Sequence, residues 1–140
     1  MNKKRIYFLC FQNRCRSQMA EAFAKHYAGE YIIAESAGLE ASEIHPLTIE
    51  VMKEVGIDIS QNVSKKLNMK SFIEANIIVK LCEQVAEKCP IVPFHITNVE
   101  WSIKDPLAIE DSGIENVRKA RDEIQEKVID LLKGMNILIL

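Results

Sequence analysis

The chain has 140 residues, 48% of them hydrophobic and 27% charged, values that fit one folded domain over residues 1–140 and exclude a disordered or collagen-like chain. The net charge of -2 excludes a general electrostatic attraction to nucleic acid or anionic lipid. No apolar run approaches the roughly 18 residues of a membrane span, and the block Ile6 to Phe11 behind the basic start is too short for a signal-peptide core, so the expected location is the cytoplasm.

In chain order, Lys4 to Cys10 reads as a short buried strand. A helix is expected over Ser17 to Tyr27, with Ser17 as N-cap and Gly29 as its stop. Tyr31 to Ser36 reads as a second strand, followed by a turn at Ala37-Gly38. His45-Pro46 opens a second helix that ends near Gly56. Residues 57–68 lack a period and are expected to form a loop. Lys70 to Ala75 suits a short helix, Asn76 to Leu81 a third strand and Ile91 to Ile96 a fourth. The long amphipathic pattern from Ile114 to Lys133 is a last helix. The tail, Met135 to Leu140, is unusually apolar for a chain end, and its structure is left open. Strands alternating with helices predict an α/β fold: an open parallel four-stranded sheet with helices on both faces. Ligands in such sheets bind at the carboxyl ends of the strands, where Cys10 and Cys82 fall.

The segment Cys10-Phe11-Gln12-Asn13-Arg14-Cys15-Arg16-Ser17 links the first strand to the first helix. A turn there aims backbone N–H groups and the positive helix end at one small space, suited to a tetrahedral oxyanion. Arg16 adds a forked donor, and the same field favours an anionic sulfur at Cys10. Ser17 is placed to cap the helix and also to donate to the Cys10 sulfur. Cys15 reads as a buried small hydrophobe. A structural zinc site is disfavoured, because neither C-x2-C nor H-x3-H spacing occurs.

C-x5-R-S opening a β-loop-α unit, with Asp105-Pro106 far downstream, resembles the low-molecular-weight protein tyrosine phosphatase fold. Ser17-Gln18-Met19-Ala20-Glu21, Ser36-Ala37-Gly38, residues 52–60, Leu81-Cys82 and Cys82-x6-Cys89-Pro90 are similar to its thioredoxin-coupled arsenate reductase branch. The likeness runs from about Lys3 to Leu132. It implies that residues 11–17 bind arsenate, that Cys10 attacks arsenic, and that Asp105 protonates the departing oxygen. It further implies that Cys82 and then Cys89 carry the oxidation to a disulfide that thioredoxin reduces, with no tightly bound cofactor and a monomeric enzyme. A phosphatase, or a non-catalytic oxyanion- or partner-binding regulator, stays open as the alternative.

Geometry adds one expectation of its own. Seven helical residues rise about 10.5 Å, whereas a disulfide tolerates a Cα separation of roughly 4.4–6.8 Å. If residues 82–89 are helical when reduced, joining Cys82 to Cys89 requires them to unwind. Against the family loop, Phe11 and Gln12 replace a small residue and a glycine, and Arg14 replaces an uncharged residue. Gln12 is therefore expected to strain or narrow the loop. Some relatives hold potassium through Asn, Glu, Ser and Asp. Asn13, Glu21 and Ser36 match the first three, but Lys65 stands fourth, either as an ammonium in place of the metal or as a solvated lysine beside Lys66.

Overall fold

The computed structural model describes residues 3–108 and 113–137. Strand β1 (Lys4–Cys10) leads through a loop into helix α1 (Arg16–Ala28), a 3₁₀ turn (Gly29–Tyr31) and β2 (Ile32–Gly38). Helices α2 (Pro46–Glu54) and α3 (Met69–Glu74) precede β3 (Ile77–Lys80). Then come α4 (Glu83–Lys88), β4 (Thr97–Glu100) and α5 (Ile114–Gly134).

The four strands pair in the order β2-β1-β3-β4, all parallel. The chain runs one way along the sheet from β1 to β2 and back the other way from β2 to β3. Right-handed crossovers then place α1 on one face and α3 on the other, as expected for the doubly covered sheet. β1 is central, and its Ile6 to Cys10 run is fully buried. Its register with β2 sets Cys10 beside Gly38, and its register with β3 sets Leu9 beside Lys80. The reversal of direction therefore opens at the Cys10 end of the sheet, where such folds hold their ligands.

Three elements differ from expectation. β2 extends through Ala37 and Gly38, which pair with Leu9 and Cys10 instead of turning. A Cβ at Gly38 would lie 2.7 Å from the Asn13 nitrogen, so only glycine lets β2 lie this close to the loop. The fourth strand is Thr97–Glu100, not Ile91–Ile96. Pro90 and Pro93 interrupt the apolar run with rings that cannot donate to a ladder, whereas the polar TNVE segment suits an edge strand. Finally, α1 starts at Arg16 with Cys15 as N-cap, and the cap makes no side-chain hydrogen bond. The Ser17 hydroxyl is used elsewhere. The expected tail falls partly outside the described residues (138–140), while Met135 and Ile137 pack partly buried against the core.

Candidate active site

The loop between β1 and α1 is built by turning its carbonyl groups outward. Leu39 N–H donates to the Cys10 carbonyl at 3.2 Å and Glu40 N–H to that of Phe11 at 3.0 Å. The Ser64 hydroxyl donates to the Gln12 carbonyl at 2.9 Å. His45 N–H and the Thr48 hydroxyl both donate to the Arg14 carbonyl, at 3.1 and 3.2 Å. In a trans peptide the N–H points opposite to the carbonyl, so the loop's donors face the concave side above Cys10. One of them is visible on the sulfur itself: Asn13 N–H donates to Cys10 Sγ at 3.3 Å.

Asn13 locks this shape. It takes the left-handed backbone conformation (φ 52°), which asparagine tolerates better than most residues. The left-handed position thus falls on Asn13 and not on Gln12, so the expected strain at Gln12 is absent. The fully buried Asn13 amide donates to Ser17 Oγ at 2.7 Å and to Ser36 Oγ at 2.9 Å. Its carbonyl accepts from Gln18 Nε2 at 2.9 Å and from Lys65 N–H at 2.8 Å. Because Ser17 Oγ accepts from Asn13, its own proton is free for Cys10 Sγ, 2.8 Å away. By the same logic Ser36 donates to Glu21 Oε1 at 2.6 Å. Glu21 ends the chain between two ammonium groups, Lys25 at 2.7 Å and Lys65 at 3.3 Å. Burial alone would push the Glu21 carboxyl up, but the Lys25 and Ser36 hydrogen bonds and the Lys65 charge outweigh it and hold it below the usual range.

The remaining groups come from the far side of the sheet. The loop after β4 brings Ile103, whose carbonyl accepts from Arg16 Nη1 at 2.8 Å. It also brings Asp105, whose Oδ2 lies 3.8 Å from both Arg14 Nη2 and Arg16 Nη2. Asp105 Oδ1 accepts from Leu107 N–H at 2.9 Å, the turn that a following proline favours. Above Cys10 is a cavity of about 30 Å³, walled in part by Phe11, Gln12, Gln84 and Asp105. A second cavity of about 440 Å³ shares Arg16, Gln84 and Asp105 and adds Cys82.

The cysteines divide cleanly. Cys15 is buried, and desolvation pushes its thiol up to about 12, as a packed bystander would be. Buried Cys82 caps α4 beside the Cys10 loop. Its thiol is pushed up mainly by burial, against the pull of the α4 backbone N–H groups and Arg16. Cys89 stands at the other end of α4, half-buried, donating to the Pro90 carbonyl at 3.1 Å and lining a separate cavity of about 560 Å³. All four are free thiols. Cys10, Arg16, Asp105 and Cys82 are thus brought together, Asn13, Ser17, Glu21, Ser36 and Lys65 form one network behind them, and Cys89 is held apart.

Sequence reading missed Gln84, Thr48, Gln18, Gly38 and the Ile103 carbonyl. Gln18 carried a signal, being a polar residue in a helix that buries all of its first nine residues. The others act across long sequence separations and left none.

Comparison with known proteins fits this geometry. Residues 5–137 match the family model described as low molecular weight phosphotyrosine protein phosphatase. The chain is similar to an arsenate reductase of Shouchella clausii, 41% identical over 131 residues that cover 91% of this chain and 94% of the relative. It also resembles the solved thioredoxin-dependent arsenate reductase of Corynebacterium glutamicum (TM-score 0.78, 32% identity), covering 96% of this chain but only 62% of that longer one. A solved arsenate reductase in the phosphate binding state superposes with TM-score 0.79 at 32% identity, covering 94% of this chain and 98% of the other. With its Cys10 loop, its parallel sheet and a family match over nearly its whole length, this chain is a member of the low molecular weight phosphotyrosine protein phosphatase family.

Proposed function

We propose that the chain reduces arsenate to arsenite by passing oxidation along Cys10, Cys82 and Cys89, with thioredoxin as the reductant. The observation that carries this reading is the position of Cys82, which shares the walls Arg16, Gln84 and Asp105 with the cavity over Cys10. Hydrolysis has no use for a second thiol there. The named relatives support the substrate, and the Corynebacterium glutamicum structure supports the electron donor.

The Cys10 thiolate attacks arsenic, an S–As bond forms, and the opposite As–O bond breaks. Asp105 supplies a proton so that the oxygen leaves as water. Loop N–H groups and Arg16 hold the remaining oxygens. Cys82 then attacks Cys10 Sγ. The S–As electron pair stays with arsenic, which becomes arsenite, and the two sulfurs are oxidised to a disulfide. Cys89 attacks Cys82 and frees Cys10, and a dithiol reductant of the cytoplasm reduces the Cys82–Cys89 bond by exchange. Since α4 fills the segment between these two cysteines, that last bond forms only after the helix unwinds.

The same reading covers the cation beside the loop. Lys65 Nζ, 3.3 Å from Glu21 Oε1, supplies the positive charge that potassium supplies in some relatives, so no metal is needed behind Asn13 and Ser36.

The test is a thioredoxin-coupled assay with arsenate and, in parallel, hydrolysis of an aryl phosphate. Arsenite formation at least tenfold faster than ester hydrolysis supports the reductase. Hydrolysis with no arsenite points to the phosphatase, for which Cys10, Arg16 and Asp105 suffice. Anion binding with neither product leaves a regulator.

A further inference from the structure

Reduction through Cys10, Arg16 and Asp105 uses one guanidinium, yet a second one stands at the mouth of the loop. The Arg14 backbone is fixed by two donors on its carbonyl, and its side chain, about one-third exposed, lines the small cavity over Cys10. Its Nη2 is 3.8 Å from Asp105 Oδ2, too long for a hydrogen bond, and among the described residues the Arg14 side chain makes none. Its five N–H donors are therefore available at the outer face of the site. The cavity is small, about 30 Å³, and Arg14 stands with Phe11, Gln12, Gln84 and Asp105 among its walls, so the Arg14 side chain borders any anion held over Cys10.

We propose that Arg14 determines specificity by binding the outward oxygen of the anion and so selects free inorganic oxyanions over esters. The proposal deepens the arsenate reading by naming the substrate class of the same site. Attack by Cys10 from the floor requires the leaving oxygen to point away from it, towards Asp105 and Arg14. The other three oxygens face the loop N–H groups and Arg16. In arsenate or phosphate the outward atom is an unsubstituted oxygen that accepts charge-assisted hydrogen bonds from a guanidinium. In an ester that oxygen carries carbon, accepts more weakly, and its substituent needs the space the Arg14 side chain holds. Discrimination of this kind follows when a site built to hydrogen-bond an oxygen meets an analogue without it.

Equilibrium titration with inorganic phosphate and with phenylphosphonate, which has only three oxygens, tests the assignment in wild type, Arg14→Gln and Arg14→Lys. The expected result is a phosphate-to-phenylphosphonate affinity ratio at least fivefold lower in Arg14→Gln, partly restored in Arg14→Lys. A smaller change in that ratio in Arg14→Gln, including a parallel loss of both ligands, overturns the proposal. Neither ligand is reduced or hydrolysed, so the outcome does not depend on whether the chain reduces arsenate. Failure of that reading would appear separately, as the absence of arsenite in the coupled assay.

Discussion

The two regions that carry Cys10 and the Cys82–Cys89 pair are built in opposite ways. Around Cys10, the side chains of Asn13, Ser17, Gln18, Glu21 and Ser36 are buried and hydrogen-bonded, and no buried side-chain polar atom among the described residues lacks a partner. Around Cys82 and Cys89, helix α4 is six residues long with Val85 as its one buried residue. Beyond it Ile91 and Phe94 are fully exposed. A site that stabilises charge on a transferred group must be preorganised, since donors that reorganise during the step lose their advantage. A segment whose ends must come within bonding distance must instead be inexpensive to unfold, and a single buried side chain with a few solvent-exposed helical bonds meets that need.

The sharpest way to break this comparison is Cys82→Ser. If the α4 segment carries the step that reduces arsenic, arsenite formation falls at least a thousandfold, because the thiol-arsenate adduct on Cys10 has no attacking sulfur. Aryl phosphate hydrolysis, which uses only the rigid region, stays within about threefold of wild type. An equal loss of both activities would mean that Cys82 supports the Cys10 loop structurally and that the two regions are not separable.

Cys89→Ser sharpens the division within the α4 segment. The first attack and the Cys10–Cys82 disulfide need no helix unwinding, so rapid quenching should show a burst of one arsenite per chain followed by arrest with thioredoxin present. Sustained turnover would show that the reductant reaches the first disulfide directly and that α4 need not open.

These regions were also unequally legible in the amino-acid sequence. Cys10 to Ser17 is contiguous, so strand, loop, helix start and nucleophile could be read together from local pattern. The role of Ser17 was half right: it does meet the Cys10 sulfur, but Asn13 already bonds its hydroxyl, leaving Cys15 as the uncapped helix start. The fourth strand was misplaced because Ile91 to Ile96 looked apolar enough for a sheet, while the true strand has one half-buried position, Val99. Its pairing with β3 is a tertiary effect that overrides composition. Gln84 over the cavity, Ile103 on Arg16 and the close approach of Gly38 to Asn13 depend on contacts between distant segments, for which hydrophobic periodicity holds no information.

Asn13→Ala probes the rigid region by itself. It removes four side-chain hydrogen bonds at once and leaves Ser17, Ser36, Gln18 and the Lys65 N–H short of a partner, in a backbone conformation alanine adopts less readily. The expected cost is about 2–4 kcal/mol in urea unfolding. A loss under about 1 kcal/mol would mean that water replaces the amide and that the network is less preorganised than its geometry implies.

The smallest effect concerns the charge at the back of the network. The Glu21 carboxyl lies below its ordinary range when folded, so its contribution to stability is complete above the unfolded glutamate value and is lost as pH falls through the folded one. Lys65→Met removes one of the two cations that oppose the effect of burial, so the folded carboxyl moves up and acid unfolding begins at a higher pH than in wild type. Because the Lys65 side chain is nearly half exposed, solvent screens the pair, and the loss at neutral pH should stay under about 1 kcal/mol. If the ammonium holds the place of a metal, wild-type turnover should differ by less than about twofold between potassium and sodium chloride at equal ionic strength, while Lys65→Met should gain from potassium. A steep potassium dependence in the wild type would instead assign Lys65 to the solvent-facing surface and leave Glu21 and Ser36 to a bound cation.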